Sequence, residues 1–224
     1  QLDQFEANQI LETRLFAAAQ PPDFIEAVAA GKPTPGGGSA AAHTAALAAA
    51  LVAMVARLTV NKKKYAVTSD RMAQIITEAE ALRADLQTAV AQDAAAFDAV
   101  MAAYRQPKES KAEKTTRATA IQCALHHATK IPLQVAQQAV QLQALAAEVV
   151  EKGNSNAGSD AVAGAQLARS ALRIAALNVR VNARDVNDRE AAAQWLHQLE
   201  DLESRTSALE EQTKSTVQAI AGPD

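Results

Sequence analysis

The chain has 224 residues, 49% of them hydrophobic but only 3% aromatic, and a net charge of −3. That length is enough for one large domain that buries its core without staples, and an interior so poor in rings must rest on alanine, leucine and valine, which suits helix packed on helix and excludes a sandwich of strands. The mildly acidic balance argues against a nucleic-acid partner, and the single cysteine, Cys123, excludes an internal disulfide framework.

Leu2, Phe5, Ile10, Leu11 and Leu15-Phe16 predict a first amphipathic helix, stopped by Pro21-Pro22. The same stretch carries acids and lacks the apolar core of a secretory signal, which with the lone thiol predicts a cytoplasmic protein. Cys123 itself reads as a small buried hydrophobe. Asp23 is placed to cap a short helix through Val28 that ends at Gly31.

Lys32-Pro33-Thr34-Pro35-Gly36-Gly37-Gly38-Ser39 comes next and runs straight into the small-residue stretch Ala40 to Ala56. Two prolines and three glycines cannot start an element, so this is a tight loop feeding a helix over about Ser39 to Leu58. Without Cβ atoms its backbone is able to take positive φ and lie close to a neighbour, and the unpaired amides of the helix start favour an electron-rich partner. No Lys-Ser or Lys-Thr pair follows Gly38, so it is no Walker A, and the helical look of Phe24 to Gly31 excludes a dinucleotide fingerprint. A turn that lets two helices touch and a loop that cradles a ligand both fit it. Leu47, Leu51, Met54 and Leu58 recur at spacings of three and four. The stretch is uncharged, but alanine is weakly apolar and Arg57 follows, so a buried core helix is expected and no membrane partner.

Lys62, Lys63 and Lys64 break the pattern on a turn, which reads as a solvated surface or an anion ligand. Ser69-Asp70 opens a long helix to about Arg105, and in it Asp93 shares a side with Phe97, close to the apolar seam through Val90 and Val100. An acid there is costly unless it is paired or used. After Pro107 the charged run Lys108 to Lys114 leads into a helix reaching about Lys152, with Pro132 expected to kink or divide it. His126 and His127 point about 100° apart with no Cys or Glu at a matching spacing, so no metal site is expected.

Gly153 to Asp160 is a second polar loop, with Ser159 or Asp160 able to cap the alanine-rich helix Ala161 to about Ala183. On that helix Asn178 and Asn182 share a face and need partners if buried, so they are candidates to line a cleft. Trp195, Leu196, Leu199, Leu202 and Leu209 mark a last amphipathic helix to about Ile220. The whole is an all-α, single-domain bundle over residues 1–224, of about six mostly long antiparallel helices.

These pieces resemble the formimidoyltetrahydrofolate cyclodeaminase and methenyltetrahydrofolate cyclohydrolase family. The resemblance lies in Pro33 to Ser39, Met54 to Thr59, Asp93 with Ala96-Phe97, Gly153-Asn154 with Asn156 and Ser159-Asp160, and Ala175 to Asn182, in the family's order. Leu58 to Tyr65 and Phe97 to Met101 with Pro107-Lys108 look more like the stand-alone cyclohydrolases. The resemblance implies an all-helical, usually dimeric enzyme acting on a tetrahydrofolate derivative with no cofactor. By its place before Ala96-Phe97, Asp93 takes the part of the family's catalytic acid. Hydrolysis of 5,10-methenyltetrahydrofolate to 10-formyltetrahydrofolate is the implied reaction, with release of ammonia by a cyclodeaminase as the alternative. Gly36, Gly37, Gly38 and Ser39 would offer amides to the pterin or the glutamate tail. Lys62, Lys63 and Lys64 would hold that tail, and Asn154, Asn156, Asp160, Asn178 and Asn182 would frame the pterin edge or the loops around it. Against this stand capping and helix-to-helix bonds for the asparagines, and a non-catalytic helical dimer for the whole chain.

Overall fold

A computed structural model of the chain describes residues 23–221, so the helix expected over Leu2 to Phe16 and its stop at Pro21-Pro22 lie outside the described residues. By its contacts the chain divides after Thr34. In the described part of the first unit, α1 (Phe24–Ala29) starts where the Asp23 carboxylate accepts the Ile25 N–H at 3.1 Å, and Gly31, at φ 68°, turns the chain out of it.

From Pro35 onward every described long element is an α-helix: α2 (Gly37–Thr59), α3 (Ser69–Tyr104), α4 (Lys111–Lys152), α5 (Gly158–Asp185) and α6 (Arg189–Ala221). Short 3₁₀ turns at Lys63–Thr68 and Ser155–Ala157 lie between them, and no strand occurs among the described residues. Successive helices run antiparallel. Ser39 and Arg57 of α2 meet Val90 and Glu80 of α3, Arg71 of α3 meets Glu148 of α4, Gln122 of α4 meets Asp185 of α5, and Arg180 of α5 meets Glu203 of α6.

α2 is the middle rod, and its alanines make the contact. Ala41, Ala42, Ala45, Ala48, Ala49, Ala53 and Ala56 are wholly buried, which lets α3, α4 and α5 come close. Gly164 of α5 is part of that approach, since a Cβ there would stand 3.4 Å from Leu51 Cβ and 3.5 Å from Ala48 O. The helix is long and apolar enough to cross a bilayer by length and composition, yet its packing is that of a core helix. Its bulky residues go the other way: Leu47 is 50% exposed, and Met54 and Leu58 are exposed with it. The stripe of large residues therefore points outward, because the thin alanine face is the one that fits between three neighbours.

Two departures from expectation have local causes. α5 begins at Gly158, so Ser159 and Asp160 lie inside its first turn and cap nothing; the cap bond of this corner is made instead by the Asn154 side chain, which accepts the Asn156 N–H at 3.2 Å. α4 runs unbroken through Pro132. A proline has no N–H for the carbonyl four residues back, which here is Ala128. Asn182 Nδ2 of α5 donates to Ala128 O at 3.0 Å and supplies the bond that Pro132 cannot make. Cys123 is exposed on α4, whose core face is carried by Ile121, Leu125 and Thr129.

Candidate active site

The Gly36 to Ser39 segment leads into α2 without a side-chain cap of its own. The negative partner expected at this helix start is Asp93 of α3. Ser39 Oγ lies 2.8 Å from Asp93 Oδ2 and 3.1 Å from the Val90 carbonyl oxygen. Gly38 shows how tightly the carboxylate sits: a Cβ on it would fall 2.1 Å from Asp93 Oδ1 and 2.6 Å from Cγ. None of the three glycines has positive φ, so Gly38 is required for close approach and not for a turn. Burial raises the Asp93 carboxyl above the usual carboxylate range, and the Ser39 hydroxyl and backbone N–H, both donating to the anion, hold back that rise. Asp93 is only partly buried, and Phe97, one turn along α3, leaves 40% of its surface open beside it. Asp98 is exposed on another side of the helix.

Asn178 belongs to the same end of the molecule. Its Nδ2 donates to Ile174 O at 2.9 Å and would stand 3.7 Å from a Cβ on Gly37. Asn182, one turn further, is spent on the gap at Pro132.

The other predicted residues gather at the far end of α2. Thr59 Oγ1 accepts the Asn154 N–H at 2.8 Å, and Asn154 Nδ2 donates to Leu58 O at 3.2 Å, so Asn154 is buried and ties the second polar loop to the last turn of α2. Asn61, at φ 65°, takes the left-handed turn that leads to Lys62, Lys63 and Lys64, all exposed. Tyr65 closes the corner: its hydroxyl accepts the Ser155 N–H at 2.9 Å and lies 3.1 Å from Ser155 Oγ, while Lys64 Nζ stands 5.2 Å from the ring centre. Ser155 on both counts, helped by Lys64, lowers the Tyr65 phenol to about 8. Asn156 is exposed and Asp160 half-buried at this corner. Tyr65 and Ser155 went unread in the sequence because their pairing spans 90 residues; the only hint was an aromatic ring directly after three lysines.

The candidate residues therefore form two groups, separated by the 23 residues of α2, or about 33 Å at 1.5 Å per residue. At one end Asp93, Ser39, Gly37, Gly38 and Asn178 offer a carboxyl with a shifted proton affinity beside an open ring. At the other, three ammonium groups and a polar loop offer a seat for anions. No group of three metal-ligating side chains occurs among the described residues. His126 is occupied in an edge-on contact with Trp195, ring centres 4.7 Å apart. The hollow of about 250 Å³ between α4, α5 and α6, lined by Gln143, Arg169 and Leu209 among others, does not reach Asp93.

The bundle is all-helical and lodges a carboxyl against a glycine-serine helix start, and the chain belongs to a known family: the family model for formiminotransferase-cyclodeaminase matches residues 21–201. Among individual relatives, the chain is 44% identical over 196 residues to the methenyltetrahydrofolate cyclohydrolase of Methylorubrum extorquens, covering 88% of this chain and 94% of that one. It is 33% identical to the formimidoyltransferase-cyclodeaminase of Rattus norvegicus over 83% of this chain, which spans only 35% of that longer protein. The crystal structure of formiminotetrahydrofolate cyclodeaminase from Thermotoga maritima superposes with a TM-score of 0.82 at 28% identity, over 92% of this chain and 100% of that one.

Proposed function

We propose that the protein hydrolyses 5,10-methenyltetrahydrofolate to 10-formyltetrahydrofolate, with Asp93 as the group that takes and returns the proton. The observation that carries the reading is the Asp93 carboxyl wedged against Gly38 and Ser39 yet partly open, with its proton affinity raised. The substrate carries a cationic amidinium carbon between two ring nitrogens. Asp93 accepts one proton from water as the water oxygen bonds to that carbon. The bond from carbon to the departing ring nitrogen then breaks, this nitrogen receives the proton from Asp93, and the second water proton leaves to solvent as the formyl group forms. A carboxyl whose affinity for protons is raised toward the operating pH is a stronger base in the first step and still able to give the proton up in the second, and such help contributes about 10²- to 10⁴-fold. The anion also draws the cationic ring toward it, more strongly where water is partly excluded. Because the electrophile is activated by its own charge, the step calls for no metal or cofactor.

The likeness to two cyclodeaminases supports a second reading, in which the same acid assists loss of ammonia from the formimino derivative. Purified protein assayed spectrophotometrically on methenyl- and formimino-tetrahydrofolate decides the matter. Faster turnover of the methenyl compound is expected; turnover of the formimino compound alone would replace the first reading, and no turnover of either would leave a helical scaffold.

The active form in this reading is a homodimer, located in the cytoplasm, whose pockets are each built from two subunits. A folate has a cationic ring at one end and carboxylates at the other, so its site needs an acid and a cluster of bases, and within one chain these lie a full helix length apart, beyond the reach of one extended monoglutamyl folate. α5 adds Leu167 and Ile174, both half-buried, and Leu177, 61% exposed, to the outward stripe Leu47, Leu51, Met54 and Leu58, with the exposed Arg173 at its edge. Two copies joined antiparallel along this stripe bring the lysine corner of one to the Asp93 end of the other. The α2 run is about 17 Å long and the α5 run about 15 Å, each one helix or about 10 Å wide, so the stripe itself covers roughly 300 Å² per subunit and forms the apolar centre of an interface whose standard size is about 800 Å² per subunit.

A further inference from the structure

The Ser39 hydroxyl has one proton and two acceptors within reach, Asp93 Oδ2 at 2.8 Å and Val90 O at 3.1 Å, and it donates to only one of them at a time. Ser39 is fully buried, so no water competes for that proton. Val90 lies inside the regular helix α3, where its carbonyl also accepts the N–H of residue 94, so this oxygen stays satisfied when the serine turns away. The backbone N–H of Ser39 adds a second donor to the anion from the first turn of α2.

We propose that Ser39 is a positioning residue whose hydroxyl swings between Asp93 and the Val90 carbonyl as Asp93 loses and gains its proton. With Asp93 ionised, the hydroxyl points at Oδ2 and, together with the backbone N–H, fixes the carboxylate against Gly38. When Asp93 is protonated, a proton on Oδ2 donates to Ser39 Oγ and the serine O–H turns to Val90 O; a proton on Oδ1 leaves the serine able to face either acceptor. Each state keeps a complete set of hydrogen bonds and no heavy atom moves. The carboxyl is thereby held in one place through both halves of a reaction in which it must first take a proton and then return it. The proton shared with substrate stays on Asp93, so the serine proton is never transferred and the balance of the hydrolysis is unchanged.

The inference rests on Asp93 acting as base and acid, and its test separates the two. In Ser39→Ala the anion loses a donor, so the Asp93 carboxyl, followed by ¹³C NMR in protein without substrate and assigned with Asp93→Asn, is expected to titrate at higher pH than in the parent. The acid limb of the kcat/KM profile is expected to move up with it by about half to one pH unit, the worth of one ordinary hydrogen bond, with kcat lower by about tenfold. Ser39→Cys, which keeps a weak donor in the same position, is expected to fall between the two. A Ser39→Ala protein with a lowered Tm but an unmoved carboxyl titration and an unmoved acid limb would make Ser39 merely structural and overturn the inference. A moved carboxyl titration together with full activity in Asp93→Asn would overturn the catalytic reading and leave the link between Ser39 and Asp93 standing.

Discussion

Gly38→Ala is the sharpest test of the way the site is built. The added methyl carbon would sit 2.1 Å from Asp93 Oδ1, 2.6 Å from Cγ and 2.7 Å from Oδ2, where 3.4 Å is ordinary contact. The carboxylate therefore has to withdraw by about 1 Å, and the 2.8 Å bond from Ser39 lengthens or breaks. A displacement of that size at a reacting group costs about 10²-fold in rate, and forcing a methyl into a packed position costs about 1–3 kcal/mol of stability. The rate is read from decay of the methenyl chromophore and the stability from urea unfolding. Asp93→Ala removes all three nearest atoms, so Gly38→Ala is expected to cost distinctly less stability in that background than in the parent. A Gly38→Ala enzyme within twofold of the parent in kcat, or equal stability costs in the two backgrounds, would refute the close-contact argument.

Asp93→Asn is expected to lose about 10²- to 10⁴-fold in kcat while remaining folded. The fold raises the proton affinity of Asp93, so its stabilising contribution is complete below about pH 4, the ordinary carboxylate value, and is lost as pH rises through the raised one; the variant should match or exceed the parent in Tm at pH 7 and lose that advantage at acid pH. Replacing Lys62, Lys63 and Lys64 together by alanine is expected to raise KM for polyglutamylated substrate with little change in kcat, and mixing that protein with Asp93→Asn under exchange conditions should, at substrate concentrations well below the raised KM, give more activity than the two proteins give separately; a mixture no better than its parts would dispose of the shared pocket. Asn182→Ala is expected to cost about 1–2 kcal/mol in unfolding free energy and markedly less when combined with Pro132→Ala, which returns an N–H to Ala128 O; additive costs would show that Asn182 does not serve that gap. In the tyrosinate absorbance, the difference between parent and Tyr65→Phe should show a step at a pH of about 8 that moves up in Ser155→Ala.

The helices of the described chain were legible because alanine and leucine content, two prolines and a few glycines punctuate them plainly; the boundaries at Asp23 and Lys152 follow from an aspartate cap and from Gly153, while Ser69 opens α3 without a side-chain cap bond. What one-dimensional reading missed was direction. A stripe of leucines at helical spacing says that a face is bulky, not that it faces inward, and on α2 the alanine face won because three neighbours fit only against a thin surface. Ser159 looked like a cap because its residue type suits one, but the short turn Ser155–Ala157, opened by the Asn154 side chain, hands the chain into the helix one residue earlier. The Asp93 site was half visible: the acid stood out on its helix and the glycine loop stood out on its own, yet nothing across their separation of 54 positions announces that one sits against the other. Asn178 and Asn182 looked equivalent by spacing, and only the carbonyl orphaned by Pro132 separates them.

The middle rod also acts as a ruler. Its two ends carry the acid and the bases, and one inserted residue would advance the far end by 1.5 Å and rotate it by 100°, turning the lysine corner away from the face it now shares with Leu58. A change of length is thus expected to be tolerated better at the corners 61–65 and 153–157, where a residue more or less alters a bend, than inside α2, where it alters the gauge of the molecule.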